Sequence, residues 1–253
     1  MQAIFEWART LYNDTGINLI YIYEGYERRR FAEGFLTTVE LASLCMFLSV
    51  IIGIVGAWAQ GSRVWIVRNL VQGYIQIFRN TPPLIQILFF YFALGKGLER
   101  LGLIPTYDAG GWQQPIINNF GWAVISLSMV AGSFNVEIFR AGIEAVPTTT
   151  REAAQALGYT RLKSYIHIVL PLAFRVCLPA LNNNLVNLVK TTTYAYVIAV
   201  PEMLYTANQM WSDNVNVPEM MAALFVVYVG LIGILVWVMH KWERKLRIPG
   251  FGQ

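Results

Sequence analysis

The hydrocarbon core of a bilayer is about 30 Å thick, and an α-helix needs roughly 20 predominantly apolar residues to cross it. The segment from Phe35 to Ala59 meets that requirement with a single charge, Glu40, near its start, and Met220 to Met239 meets it with none. The composition agrees. The 253 residues are 56% hydrophobic and 13% charged, whereas soluble domains run near 45–50% apolar and about 25% charged. So little polar surface does not cover a soluble globule, which excludes intrinsic disorder and a secreted soluble enzyme. The two cysteines, Cys45 and Cys177, lie in apolar surroundings without CxxC spacing. They indicate neither a disulfide scaffold, a metal cluster nor a redox pair.

Three further apolar stretches bring the expected crossings to about five, so the chain reads as an all-α integral membrane protein. Val64 to Leu94 is interrupted by Arg68, Arg79 and Pro82-Pro83, and reads as a broken helix or two packed segments. Gly121 to Ala145 begins apolar and then carries Asn135, Glu137, Arg140 and Glu144. Ile166 to Val200 contains Pro171 and Pro179 as expected kinks. Lys and Arg mark the cytoplasmic side. Arg63 and Arg68, then Arg151, Arg161 and Lys163, and finally Lys241, Arg244, Lys245 and Arg247 fall on one side, while residues 201–219 carry neither type. The C-terminus is therefore expected in the cytoplasm and the N-terminus outside, against the vote of Arg28, Arg29 and Arg30. Trp58, Trp65, Trp237 and Trp242 fall at the inner boundary, and Trp112, Trp122 and Trp211 at the outer one, as an aromatic belt would. Residues 17–23 are too short and too weakly flanked to read as a cleavable signal.

The segment after the third crossing is the most specific. Glu152-Ala153-Ala154, three residues, Gly158, nine residues, Ile168, one residue, Leu170-Pro171 begins with strong helix formers and stops at a glycine. Pro147 and the run Thr148-Thr149-Thr150 before it are expected to supply turn and capping chemistry. A short helix held across the ends of two crossings is shaped to plug into another chain.

This spacing, EAA-x3-G-x9-I-x-LP, resembles the cytoplasmic coupling loop of ABC-importer permeases at every defined position. FRNTPPLIQILFFYF (Phe78 to Phe92), EIFRAGIEAVP (Glu137 to Pro147) and LPALNNNLVNLVKTTT (Leu178 to Thr193) resemble segments of polar-amino-acid permeases, and ERKLRIPG (Glu243 to Gly250) resembles the ending of glutamate/aspartate-type members. The resemblance covers about residues 35–250. It implies the type I (MetI-like) importer permease arrangement in a bacterial inner membrane. The implied partners are two ATP-binding subunits, a second permease subunit and a periplasmic solute-binding protein. It divides the chain into an N-terminal extension at 1–34, periplasmic or on the membrane surface, a permease domain at 35–240 with its coupling loop at about 146–171, and a cytoplasmic tail at 241–253. Glu152, Ala153, Ala154, Gly158, Thr160 and Arg161 become the residues expected to engage the ATPase.

No GxxxxGK[ST] phosphate loop occurs; Gly95-Lys96-Gly97 is the nearest string. The chain is therefore expected to bind no cofactor, with ATP and Mg on a partner, and to be no enzyme. His167 and His240 have no ligand partners at metal spacing.

Charges inside a bilayer cost roughly 2.5–3.5 kcal/mol on insertion scales and so usually face a cavity or one another. Asn183, Asn187 and Lys190 share a helical face at i, i+4, i+7. Glu137 is spaced to pair with Arg140 within its helix, with Asn135 close by. These residues, with Thr81 and Gln86 beside the Pro82-Pro83 break, are the candidates for lining a path suited to the carboxylate and ammonium of an amino acid. Asparagines of this kind also hydrogen-bond neighbouring helices without touching substrate. Acidic amino acids lead as substrate, with basic ones or glutamine behind. A self-sufficient secondary transporter is disfavoured by the lack of paired halves. A membrane-embedded enzyme is disfavoured by the lack of HExxH, GxSxG or a paired-carboxylate site.

Overall fold

The computed structural model describes residues 2–108, 110 and 113–246. Trp112, Arg247 and the rest of the tail through Gln253, including the end of ERKLRIPG, lie outside the described residues. Two short helices, α1 (Gln2–Thr15) and α2 (Ile20–Tyr23), lead into the long α3 (Gly25–Gln60). α3 runs unbroken through position 34/35, where the extension was expected to end. Residues 25–34 contain no proline, and the i,i+3 pair Arg30–Glu27 and the i,i+4 pair Arg29–Glu33 support their helical turns.

The second apolar stretch is broken, as its sequence implied. α4 (Trp65–Asn80) stops at Thr81, which is extended at φ −116, ψ 145 because the ring of Pro82 disfavours a helical residue before it. α5 (Pro83–Leu88) restarts with proline in its first turn, and passes through a π-helical stretch, Phe89–Gly95, into α6 (Lys96–Arg100). A two-stranded antiparallel ribbon follows, β1 (Thr106–Asp108) with β2 (Gln113–Pro115), in register Thr106 to Pro115. An all-helical expectation misses this ribbon, because three-residue strands are too short to show a period of two.

α7 (Asn119–Glu144) leads to α8 (Thr148–Ala156) and α9 (Arg161–Ser164). A π-helical stretch, Tyr165–Val169, joins α9 to α10 (Leu170–Thr191), which continues as a 3-10 turn over Thr192–Ile198. α11 (Met203–Asn214) and α12 (Val217–Leu246) complete the described chain. Among the described residues, four helical segments are long and apolar enough to cross a membrane: Gly25–Gln60, Asn119–Glu144, Arg161–Ile198 and Val217–Leu246. With the broken segment from Trp65 to Arg100 they give the expected arrangement of about five. The helical segment that holds the fourth crossing begins at Arg161, five residues before the apolar stretch itself, and Pro179 lies inside α10.

The chain divides into two compact units, with boundaries inside α3, α7, α10 and α12. The first comprises Met1–Leu44, Pro83–Leu127 and Val189–Gly233. Its core joins Met203, Ala207 and Met210 of α11 to Met220 and Leu224 of α12, with Phe31 and Phe35 of α3 packed against them. α11 is fixed at its N-terminus by Glu202, which is completely buried. The Glu202 carboxylate accepts from the backbone N–H groups of Leu204 (2.9 Å) and Tyr205 (2.8 Å) and from the Tyr228 hydroxyl (3.1 Å). Thr38 accepts from the N–H of Met203 at 2.9 Å, so all three of these first N–H groups have partners.

The second unit comprises Cys45–Pro82, Ser128–Leu188 and Ile234–Gln253. Ile75 of α4, Val136 and Phe139 of α7, and Cys177, Leu181 and Leu185 of α10 form its core. Gly142 lets α7 and α10 touch. A Cβ there would overlap Cys177 Sγ and sit 2.8 Å from the Ala173 carbonyl oxygen. The small-residue contact replaces a hydrophobic drive that lipid does not supply.

Burial without full compensation raises the Glu202 pKa from 4.5 to about 7, despite its three donors. The folded protein then holds this proton more tightly than the unfolded chain does. The stability so contributed is fully present below about 4.5 and is lost as pH rises through about 7. Thermal unfolding in detergent at pH 8 and pH 5 should show the wild type gaining stability on acidification relative to Glu202→Gln. Equal pH responses in the two proteins would contradict this assignment.

Candidate functional site

The segment singled out in the sequence folds as a helix with a glycine stop. Pro147 occupies the N-cap position at φ −55, ψ 142. No side-chain cap is present there, so the expected threonine cap is not made; Thr148, Thr149 and Thr150 are already inside the helix. The C-terminus is closed more completely. The N–H of Tyr159 donates to the Ala154 carbonyl at 3.0 Å and that of Gly158 to the Gln155 carbonyl at 2.9 Å. This is the doubly bonded Schellman ending, which needs a left-handed residue, and Gly158 supplies it at φ +84. Thr160 then caps α9 by accepting from the N–H of Lys163 at 3.4 Å.

Within this loop Ala154 is buried, and Arg151 donates to the Ile143 carbonyl at 2.9 Å, tying α8 to the end of α7. Beneath lie Val146, Val169 and Ala173. The outer side is bare. Glu152, Ala153, Gly158, Thr160 and Arg161 are exposed, and so are Leu157 at 79% and Leu162 at 68%. Two large apolar side chains thus stand exposed beside the glycine-stopped helix. Leu157 and Leu162 are absent from the sequence-level set, since nothing in the spacing shows which loop residues pack inward.

The charges inside the spans pair differently from the sequence expectation. Glu137 binds Arg79 of α4, not Arg140. Arg140 instead donates from Nε to Glu144 Oε1 at 2.8 Å, one turn further along α7. Arg79 also lies over the ring of Phe134, 5.2 Å from its centroid. Helical spacing permits both Glu137–Arg140 and Arg140–Glu144, and the second wins because a cation on another helix takes Glu137. The missed signal was Arg79 itself. A cation in one apolar segment and a carboxylate in another are candidates for each other. Both side chains keep about a third of their surface open, 37% and 34%.

Asn135 is completely buried. It receives a bond from Asn184 (2.7 Å) and donates to Ser49 Oγ (3.2 Å), while Asn184 also reaches the Ala131 carbonyl at 2.9 Å. This chain ties α3, α7 and α10 together and takes Asn135 away from any open surface. Asn183, Asn187 and Lys190, one position around α10, are all exposed along one face of the helix. Thr81 donates to the Ile77 carbonyl at 2.7 Å, closing the end of α4, and Gln86 is buried in α5. The structure thus pairs Glu137 with an unpredicted partner, leaves the α10 face open, and puts Asn135 and Thr81 to structural use.

The chain matches the family described as binding-protein-dependent transport system inner membrane component over residues 49–248. It belongs to that family. It is 27% identical over 216 residues to the glutamine transport system permease protein GlnP of Escherichia coli (strain K12), covering 85% of this chain and 92% of that one. It is 26% identical over 218 residues to the glutamate/aspartate import permease protein GltJ of the same strain, covering 86% and 87%. Among solved structures, a crystal structure of an amino acid ABC transporter with histidines superposes with a TM-score of 0.75 at 24% identity, covering 89% of this chain and 98% of that one. The fold is that of a type I importer permease.

Arg79→Gln and Glu137→Gln should each lower the melting temperature of the purified protein, since each leaves one charge without its partner. The double variant should recover part of the loss, with a coupling of about 0.5–3 kcal/mol. Strict additivity of the two changes would show that the pair contributes nothing.

Proposed function

We propose that the chain is the membrane-spanning subunit of an ATP-driven importer of polar amino acids, with acidic ones such as glutamate and aspartate favoured. The observation that carries this reading is the family match over residues 49–248, joined to an exposed, glycine-stopped helix on the coupling motif. Relatives named for glutamine and for glutamate/aspartate are 27% and 26% identical, so identity does not choose between them. The preference for acidic substrates rests on the carboxy-terminal resemblance, and glutamine and basic amino acids stand next.

In this reading two ATP-binding subunits, a second permease and a periplasmic binding protein complete the assembly, and this chain itself hydrolyses nothing. Glu152 to Arg161 dock on an ATPase, with Leu157 and Leu162 filling apolar hollows in it. Because Gly158 closes α8 and Arg151 ties it to α7, displacement of the docked helix is passed to the crossings instead of being absorbed by a slack loop. The path is lined by the exposed face of Asn183, Asn187 and Lys190 and by the Arg79–Glu137 pair. That pair offers a donor to a carboxylate and an acceptor to an ammonium. Gln86 and Thr81 lie at the break where α4 gives way to α5, and Asn135 holds the helices that carry the path. The basic loops face the cytoplasm, which leaves the N-terminus in the periplasm.

Co-purification of the tagged chain from mild detergent should bring an ATP-binding subunit with it. Gly158→Asp should reduce uptake of labelled glutamate at least tenfold and release that subunit, with the amount of chain in the membrane unchanged. Full uptake by this variant would remove the coupling role from the loop.

A further inference from the structure

The second unit holds two adjoining hollows near the turns that follow Gln60 and Glu144. One, about 690 Å3, is the more polar of the two and includes Gln60, Arg68, Gln72, Arg140 and Glu144 in its lining. The other is an apolar groove of about 390 Å3 that includes Val55, Phe139, Leu170 and Phe174. Ala57, Trp58, Ile143 and Tyr165 line both, so a single molecule with a polar head and an apolar tail fits across the shared wall. Each volume falls in the range of about 300–1,000 Å3 typical of ligand sites.

The polar hollow has groups left to bind with. Arg68 is exposed and makes no ion pair among the described residues. Arg140 uses Nε on Glu144 and keeps its terminal amino groups clear of hydrogen bonds among the described residues. The lining charges, two arginines and one glutamate, leave a positive excess. Gln60 donates from Nε2 to Gln72 Oε1 at 2.9 Å, but its own Oε1 is buried with no hydrogen-bond partner among the described residues. That oxygen lacks a donor such as a hydroxyl. Trp58, 72% exposed, and Tyr165 flank the wall at the ends of the spans, where amphipathic rings settle at headgroup level.

We propose that this depression binds one anionic glycerophospholipid from the leaflet beside the basic loops. Its phosphate lies between Arg68 and Arg140, a headgroup hydroxyl donates to Gln60, and one acyl chain lies in the groove along Val55 and Phe174. Basic hollows between membrane helices select anionic headgroups in this way. A free phosphate or the carboxylate of an amino acid shares the charge but has no chain for the groove. The identity of the leaflet, though not the site itself, rests on the orientation given under Proposed function.

The full chain, purified with the subunits that accompany it and partly delipidated, would be titrated with phosphatidylglycerol, phosphatidylethanolamine and glycerol phosphate, and bound molecules counted by native mass spectrometry. Phosphatidylglycerol should bind at least tenfold more tightly than the other two. Arg68→Gln should weaken it roughly fivefold and leave phosphatidylethanolamine unchanged. Val55→Trp, which fills the groove, should weaken both lipids. Arg68 and Val55 are both exposed, so melting temperatures should hold and a loss of binding would not reflect unfolding. Equal binding of the two lipids, equal binding of glycerol phosphate, or an unaffected Arg68→Gln variant would each overturn the proposal. Side-specific labelling of Ser62→Cys in oriented vesicles separately reports the leaflet. Labelling from the periplasm would overturn the orientation while leaving the lipid preference as measured.

Discussion

Hydrocarbon offers no hydrogen bonds, and a chain that crosses it must satisfy its backbone from within. Three helix ends among the described residues are closed by local devices. Thr81 bonds back to Ile77 where Pro82 forbids another helical residue. Gly158 turns left-handed so that two carbonyls of α8 are met by the N–H groups that follow. Glu202 and Thr38 take the first N–H groups of α11. The helices around these stops are ordinary; the stops are where sequence and structure are most tightly matched.

The same constraint governs the charges. Arg79 and Glu137 lie far apart in sequence and meet in the second unit because neither is tolerated alone at its depth. Arg140 and Glu144, near the end of α7, pair along one helix instead. Polar groups without charge follow a parallel rule, with Asn184, Asn135 and Ser49 forming a closed chain across three helices. Among the described residues, the exposed face of α10 and the hollow around Arg68 keep polar groups without a charged partner.

The proposed coupling loop and the proposed lipid site share elements. Tyr165 begins the π-helical stretch that joins α9 to α10, and it also lines both hollows. Arg151 anchors α8 to the carbonyl of Ile143, another residue of their shared wall. A lipid seated there would touch the stretch that joins α9 to α10, so the proposed lipid site and the proposed coupling route share a segment of chain.

The crossings, the break at Pro82, the glycine-stopped helix and the family resemblance are legible in the residues because each depends on local rules. Hydropathy needs only a window of about 20 residues, the proline effect only a neighbour, and the Schellman ending only a few consecutive positions around Gly158. The partner of Glu137, the burial of Asn135 beside the exposure of Asn183, the exposed Leu157 and Leu162, and the hollow shared by Arg68 and Arg140 depend instead on which helices adjoin. One turn of α10 carries both Asn183 and Asn184, and the pattern of side chains does not say which of the two packs. Only tertiary structure decides that, because inside a bilayer a polar side chain goes where another helix offers it a partner, and the partner lies far away along the chain.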